Sequence, residues 1–233
     1  YAGLTNKWLS KKTKKICVAY ENMNQFFEIN KLVLTGNPVR KDIENLESKF
    51  SEAKIYFKVS NNEKVILVLG GSLGAKNINL LIYNELDFIE EQGLQILWQC
   101  GSLYYEIYKT VQSKAVVVRP FIYEMEQFYA AADFIISRAG AGSISELCCV
   151  GKPLLLIPSP NVTANHQYHN ATALVNENAA LLTEEEELDK KFKVQFSNWI
   201  SDTGLQLKMK ENLKALAKPE ATQSIIKEIQ QLL

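Results

Sequence analysis

Three turns rich in small and polar residues contain the side chains of this sequence best suited to bind a charged or hydroxylated ligand. The first, residues 70–75, reads Gly-Gly-Ser-Leu-Gly-Ala and lies between a continuous apolar run and a helical pattern. Glycines let the backbone approach a ligand closely, and a helix N-terminus offers unpaired N–H groups and the positive end of its dipole. The turn therefore predicts a diphosphate cradle to which Ser72 adds a hydroxyl donor. A tight turn that needs glycine only for its dihedrals is the alternative, and the spacing matches neither a Walker loop nor a dinucleotide fingerprint.

The second turn, residues 137–143, reads Ser-Arg-Ala-Gly-Ala-Gly-Ser and opens a helix that contains Glu146. A carboxylate in that helix could accept hydrogen bonds from two adjacent hydroxyls, such as those of a ribose. Two other roles are open for Glu146: a first-turn carboxylate that favours the helix dipole, or an acceptor that forms a capping box with Ser143. Taken alone, this turn favours these two structural roles.

The third turn covers residues 158–170 and is largely polar, with amide side chains that suit sugar hydroxyls. Gln167 is the candidate sugar ligand, and a solvated connection between strand and helix is the alternative. The only histidines of the chain, His166 and His169, also lie here. Their spacing could suit a metal, but no third ligand is in view, so we predict no metal site.

Strand and helix patterns alternate around these turns. Apolar runs predict six strands at residues 65–69, 94–98, 115–118, 134–136, 154–157 and 179–182, after two shorter runs at 16–19 and 32–34. Helical patterns cover residues 42–50, about 17 residues from Ala75, residues 104–111, 123–132, 142–150 and 166–177, and the tail from Glu184 with breaks near 201–204 and at Pro219. This alternation predicts an α/β fold with a Rossmann-like, doubly wound parallel sheet. Ligands of such sheets bind outside the carboxyl ends of the strands, which is where all three turns would lie.

Composition limits the classes of function. The chain has 233 residues, with 26 lysines and arginines against 26 acidic residues and hence no formal net charge. That balance argues against a sequence-independent nucleic-acid binder, so we expect no nucleic-acid partner. The one basic cluster, at residues 11–15, is interpreted as a solvated helix end rather than a contact with anionic lipid. The four cysteines have neither zinc-site nor redox spacing, and with no leader or long apolar stretch in the sequence they indicate reduced thiols in a cytosolic protein.

Several short motifs, in order along the chain, resemble the MurG family of bacterial undecaprenyldiphospho-muramoylpentapeptide β-N-acetylglucosaminyltransferases. They are Ala-Gly-Leu-Thr-Asn-Lys-Trp at residues 2–8, Gly-Asn-Pro-Val-Arg at 36–40, the glycine turn at 70–75, the segment from Ser143 to Glu146, and Gln167. The resemblance covers essentially the whole chain. It implies a GT-B enzyme, in which two Rossmann-like domains hold UDP-N-acetylglucosamine in their cleft. Such an enzyme transfers the sugar to the lipid-linked acceptor lipid I, forming lipid II in peptidoglycan synthesis.

The resemblance also assigns site residues. The residues that would contact the donor are Arg40, Gly71, Ser72, Gly74, Ile122, Ala141, Gly142, Ser143, Ile144, Ser145, Glu146 and Gln167. Ser72 and the glycine amides would bind the diphosphate, Ile122 would pair with uracil through its backbone, and Glu146 would accept from the ribose hydroxyls. Gln167 would hold the N-acetylglucosamine hydroxyls. The family implies neither a metal nor a cofactor, and the helix N-terminus after Gly74 would stabilise the leaving UDP.

A domain division follows from the same resemblance. Residues 1–40 would be the remnant of an N-terminal acceptor domain with its linker, residues 41–218 the UDP-sugar domain, and residues 219–233 a helix returning to the N-terminal domain. The family's catalytic base and lipid-binding residues are expected upstream of residue 1. The whole enzyme would therefore bind lipid I peripherally at the cytoplasmic face of the membrane, and this chain alone would be inactive. Three alternatives are open: another GT-B enzyme such as a UDP-N-acetylglucosamine 2-epimerase, a split transferase subunit, or a non-catalytic nucleotide-sugar-binding module.

Overall fold

A parallel six-stranded sheet forms the centre of the molecule, as seen in a computed structural model that describes residues 2–43 and 45–233. Its strands are β3 (Lys64–Leu69), β4 (Leu94–Gln99), β5 (Val116–Arg119), β6 (Phe134–Ser137), β7 (Leu154–Leu156) and β8 (Leu181–Leu182). They lie in the order β5-β4-β3-β6-β7-β8, and every neighbouring pair is parallel. The predicted doubly wound sheet is confirmed, with all six strands close to their expected positions.

Helices cover both faces of this sheet, which is why its strands are apolar without alternation. The helices are α1 (Leu4–Ser10), α2 (Leu46–Tyr56), α3 (Lys76–Asn84), α4 (Leu86–Glu91), α5 (Tyr105–Tyr108), α6 (Met125–Ala131), α7 (Ala141–Val150), α8 (His166–Asn176), α9 (Leu188–Ser201), α10 (Thr203–Leu216) and α11 (Ala221–Gln230). One hydrophobic cluster joins the sheet to α2, α6, α7 and α8, and a second joins it to α3, α4, α5 and α9. The two breaks expected in the C-terminal tail separate α9, α10 and α11.

Three helices differ from the sequence prediction. The helix expected at 42–50 begins only at Leu46, because Asn45 has a left-handed backbone (φ 58°) that a helix cannot continue. The long helix expected from Ala75 is split at Glu85 into α3 and α4. Ile78, Leu81 and Ile82 of α3 and Ile89 of α4 are all buried in the same cluster, so the apolar spacing does not reveal the break. The helix expected at 104–111 has only four α-helical residues, Tyr105–Tyr108, followed by a 3-10 turn.

The N-terminal segment forms a separate small unit beside the central sheet. Its strands β1 (Ile16–Val18) and β2 (Leu32–Leu34) pair in parallel as a two-stranded sheet. Helix α11 reaches this segment, where Glu228 forms an ion pair with Lys15 at 3.4 Å. Within the described residues, no helix is both long and apolar enough to cross a membrane.

Candidate functional site

The strand order places two of the three turns side by side. The chain proceeds from β3 outward to β4 and β5, then returns to β6 on the opposite side of β3. A crevice opens at the carboxyl ends of the strands where such a sheet reverses direction, and this is the usual binding position in open α/β sheets. The glycine turn leaves β3 and the turn before α7 leaves β6, so they flank this switch point.

The glycine turn has a backbone that requires glycine. Gly71 and Gly74 have φ of 80° and 86°, in the left-handed region. A Cβ on Gly74 would lie 2.2 Å from the carbonyl oxygen of Cys100, so the close approach of the next turn also excludes a side chain there. Helix α3 begins directly after the turn without a side-chain cap at Ala75. Ser72 is exposed, and its hydroxyl is in a position suited to an anion at this helix start.

All three turns meet around one cavity of about 530 Å³. Its walls are Gly70, Gly74, Ala75, Lys76, Asn77, Arg138, Ser159, Asn161, Gln167 and Glu185. The cavity thus combines the glycine turn, the start of α3 and the polar turn after β7, as the sequence predicted for a phosphate-and-sugar site. Lys76 is an exposed cation in the first turn of α3, where it opposes the helix dipole. Lys76 was not among the predicted site residues, although its place directly after the glycine turn was a usable signal.

Gln167 occupies the wall of this cavity in a fixed orientation. Its Oε1 accepts a hydrogen bond from the backbone N–H of Ser159 at 3.0 Å. Its amide NH2 is therefore the group left to donate to a hydroxylated ligand. Next to it, the Nδ1 of His166 lies 2.9 Å from the carbonyl oxygen of Thr163, within the same turn. In the described part of the chain, no group of three or more His, Cys, Asp or Glu side chains could hold a metal.

Arg138 and Glu185 form an ion pair at the cavity wall that the sequence did not reveal. Arg138 also donates to the carbonyl oxygen of Ile157 at 2.9 Å, and Asn77 donates to the other oxygen of Glu185. The Glu185 side chain is almost fully buried, with 6% exposed. The pair joins the turn after β6 to the segment before α9. Because 47 positions separate the two residues, no local pattern could have predicted it.

Glu146 forms an ion pair with Arg40, a residue that the family resemblance had assigned to the donor. Its Oε1 lies 3.1 Å from Nε of Arg40, and its side chain is 18% exposed. Tyr129 packs beside the carboxylate; burial, and then the charge of Glu146, raise the pKa of Tyr129 well above its ordinary value. Glu146 is thus held by two neighbours, and a carboxylate has lone pairs left for a further donor.

The start of α7 settles the structural alternatives for Glu146. The helix begins at Ala141 with Gly140 as its N-cap, so Ser143 is not a cap and forms no capping box. Glu146 lies beyond the first turn, which contains no acidic residue. Neither structural role considered in the sequence analysis therefore applies. The ion pair with Arg40 takes their place as the structural role of Glu146.

Residues 141–145 include three exposed residues and two whose side chains are buried or hydrogen-bonded within the protein. Ala141, Gly142 and Ser143 are exposed, so their backbone N–H groups can face a ligand. The Ile144 side chain is buried in the core, and its N–H donates to the carbonyl oxygen of Gly140 at 2.9 Å. Ser145 donates its hydroxyl to the carbonyl oxygen of Ala141 at 3.1 Å and accepts from the Asn37 amide at 3.0 Å. The hydroxyl of Tyr20 donates to the same Ala141 carbonyl at 3.0 Å, so the N-terminal segment is fastened to this helix start.

Ile122 lies in the connection between β5 and α6. The whole residue is only 2% exposed, and its side chain belongs to the same cluster as Ile144. Within the described residues, neither its N–H nor its C=O has a hydrogen-bond partner. A free donor and acceptor on one residue can pair with the edge of a pyrimidine.

The predicted ligand residues do not all line one cavity. Gly74 and Gln167 line the 530 Å³ cavity, whereas Ala141 lines a separate cleft against the N-terminal segment. Arg40 faces a third hollow, beside the start of α11. The structure therefore brings Gly74 and Gln167 together, whereas Gly71, Ser72 and the ribose and uracil candidates are not among the walls of that cavity.

Comparison with known proteins gives a consistent result. Residues 65–229 match the model of the glycosyltransferase family 28 C-terminal domain. A UDP-N-acetylglucosamine--N-acetylmuramyl-(pentapeptide) pyrophosphoryl-undecaprenol N-acetylglucosamine transferase of Flavobacterium psychrophilum is 52% identical over 98% of this chain and 63% of its own length. The enzyme of the same name from Christiangramia forsetii is 47% identical over 99% of this chain and 63% of its own length. The chain thus spans just under two thirds of the curated relatives it matches.

Solved structures agree on the fold. The crystal structure of MurG from Acinetobacter baumannii superposes with a TM-score of 0.75 at 28% identity, covering 99% of this chain and 64% of that one. A UDP-GlcNAc 2-epimerase from Neisseria meningitidis, bound to UDP-GlcNAc, superposes with a TM-score of 0.67 at 17% identity, covering 97% of this chain and 63% of that one. At that identity, the second likeness concerns the fold alone.

Proposed function

Because the chain belongs to glycosyltransferase family 28, whose C-terminal domain it contains, we propose that it binds UDP-N-acetylglucosamine as a sugar donor. The whole enzyme would transfer N-acetylglucosamine to N-acetylmuramyl-(pentapeptide) pyrophosphoryl-undecaprenol, the reaction named for its relatives. The observation that supports this best is the cavity at the switch point, where the glycine turn, the start of α3 and Gln167 converge. The cavity has both the amide donors that a diphosphate needs and a side-chain amide for a sugar.

The diphosphate would lie against the glycine turn, where charge must be stabilised as UDP leaves. The amide of Gly71, the hydroxyl of Ser72 and the N-terminus of α3 supply donors fixed before the reaction begins, whereas the Gly74 N–H already donates to the Gly71 carbonyl. Lys76 adds a positive charge at the cavity wall. Donors that need no reorientation are most effective in stabilising a developing negative charge. The family resemblance implies no metal for this step.

The uridine and the sugar would lie on either side of the diphosphate. Gln167 would donate its free NH2 to the N-acetylglucosamine hydroxyls, since its oxygen is already bonded to Ser159. Ile122 would pair with uracil through its free backbone groups, and Glu146 would accept from the ribose hydroxyls. The backbone of residues 141–145 would close around the donor. Because Ile122 and Glu146 are not walls of the phosphate cavity, the proposal requires the nucleoside to extend from that cavity toward α7.

We assign Arg40 a different role from the one that family resemblance implies. Its guanidinium is within hydrogen-bond distance of Glu146, so it would orient that carboxylate rather than contact the donor first. A carboxylate that accepts from Arg40 still has lone pairs for two hydroxyls. The acceptor, the catalytic base and a peripheral contact with the cytoplasmic face of the membrane belong to the whole enzyme of this proposal. In this division residues 1–40 would belong to the acceptor domain and its linker, residues 41–218 would bind the donor, and residues 219–233 would return to the acceptor domain.

A ligand series tests the donor assignment. We expect the chain to bind UDP and UDP-N-acetylglucosamine at least about tenfold more tightly than ADP or GDP. The backbone donor and acceptor at Ile122 match the edge of a pyrimidine, and a purine would not fit the same pairing. Isothermal titration calorimetry with the four ligands measures this directly. Equal affinity for all three diphosphates would refute uracil recognition, and no binding of any of them would refute the donor site. A 2-epimerase would convert UDP-N-acetylglucosamine to its epimer, which analysis of the recovered nucleotide sugar would reveal.

A further inference from the structure

We propose that Gln99 is a positioning residue for the diphosphate cradle. The end of β4 and the turn that follows it, residues 99–101, would hold the glycine turn in place; we call this segment the template. This inference rests on the proposed function and adds to it a residue that does not itself contact the donor. Gln99 is the last residue of β4, the neighbour of β3 in the sheet. It is buried, with 3% exposed, so its polar groups require partners in the protein.

Gln99 holds the glycine turn at two successive residues. Its backbone oxygen accepts from the N–H of Gly70 at 3.2 Å, and its Nε2 donates to the carbonyl oxygen of Gly71 at 3.3 Å. The Gly71 carbonyl also accepts from the N–H of Gly74 at 3.0 Å. The side chain of Gln99 thus reinforces the one carbonyl that closes the turn.

The fixed carbonyl of Gly71 determines where the next donor points. The C=O and N–H of a trans peptide point in opposite directions. Holding the Gly71 oxygen against Gln99 therefore directs the Ser72 N–H away from β4, toward the exposed side of the turn. Gly71 has open space around it and a positive φ, so without the bond from Gln99 only the N–H of Gly74 would hold this peptide against a flip. A flipped peptide would present an oxygen, instead of an N–H, to a phosphate.

The remainder of the template is equally close to the glycine turn. A Cβ on Gly101 would lie 2.2 Å from both Cα and N of Gly74, so the two turns touch through their backbones. The buried Asn79 donates to the Cys100 carbonyl at 2.7 Å and accepts from the indole of Trp98 at 3.0 Å. These two hydrogen bonds hold the Cys100 carbonyl of the template in place. Gln99 is the point at which the template reaches the Gly71 carbonyl, the oxygen of the peptide that presents the Ser72 N–H.

The test replaces Gln99 with methionine, which keeps the length of the side chain and removes its donor. For Gln99→Met we expect the Kd for UDP to rise roughly three- to tenfold, the scale of one lost hydrogen bond, while the Kd for uridine changes less than about twofold. Gln95→Met is the matched control, because Gln95 is a buried glutamine on the same strand at its other end. It should leave both affinities unchanged. Equal losses for UDP and uridine in Gln99→Met, or no loss for UDP, would overturn the proposal.

A pH profile separates positioning from a general loss of stability. In Gln99→Glu the ionised carboxylate cannot donate to Gly71 and repels its oxygen, whereas the protonated acid can donate. Burial raises the pKa of a carboxyl group, so the ratio of variant to wild-type Kd for UDP should fall toward one as the pH is lowered from about 8 to about 5.5. Gln99→Met should show a constant ratio. A ratio for Gln99→Glu that does not change with pH would contradict the proposal, whether or not Gln99→Met folds. Failure of the wild-type chain to bind UDP would instead refute the donor site itself.

Discussion

Replacing Glu146 by alanine is expected to weaken UDP binding by about 1.5–3 kcal/mol, the scale for hydrogen bonds to a charged group. In the structure the carboxylate is held by Arg40 at 3.1 Å and lies beside Tyr129, so it is oriented before a ribose arrives. A 2′,3′-dideoxy analogue of UDP has no hydroxyls to donate and should lose much less. Calorimetric titration of both ligands gives the comparison.

Arg40→Ala provides the control for this prediction. If Arg40 acts through Glu146, the double variant should bind UDP about as weakly as Glu146→Ala alone, because coupled residues are not additive. Two independent contacts with the donor would instead give losses that add. If Glu146→Ala lowers the affinity for UDP and for its dideoxy analogue equally, Glu146 does not accept from the ribose hydroxyls. Its role is then the ion pair with Arg40 alone.

Asp133→Ala is expected to reduce the free energy of unfolding by about 3 kcal/mol, because it leaves a buried ammonium without its counter-charge. Lys54 has no exposed side-chain surface and donates to Asp133 at 3.0 Å. Asp133 also accepts from the backbone N–H of Val65 at the start of β3. Urea denaturation of the variant and the wild type measures the loss.

Replacing Lys54, the other member of this ion pair, should reduce the free energy of unfolding by less. Lys54→Met removes the buried charge and leaves Asp133, which is 29% exposed, still bonded to Val65 and partly hydrated. We expect a loss well below that of Asp133→Ala, since a hydrophobic residue can replace a buried charge at little cost. A larger loss for Lys54→Met than for Asp133→Ala would show that packing of the lysine stem, and not its charge, dominates here.

The fold was predictable from local patterns because those patterns have a direct physical cause. A strand covered on both faces must be apolar throughout, and β3 is buried at every position from Val65 to Leu69. Backbone strain at single residues was not predictable in the same way. Asn45 adopts a left-handed conformation and delays α2, although its neighbours have a helical pattern.

The candidate site was predictable only where it depends on backbone. The glycine turn and the start of α7 lie where the sequence placed them, because glycines and helix starts have local signatures. The ion pairs Arg40–Glu146 and Arg138–Glu185 join residues far apart in the chain. Nothing in the spacing of the sequence indicates either pair. The role of Gln99 likewise depends on two strands being neighbours in the sheet.

One measurement tests the central claim, that UDP-N-acetylglucosamine binds at the switch point of the sheet. Backbone and side-chain amide resonances of the 15N-labelled chain can be followed by NMR while UDP-N-acetylglucosamine is added. We predict the largest shifts at the amides of Gly71, Gly74, Ile122 and Ser143, with the side-chain amide of Gln167 responding to UDP-N-acetylglucosamine but much less to UDP. Shifts confined to the cleft against the N-terminal segment, around Cys17 and Met23, with the glycine turn unchanged, would contradict the account.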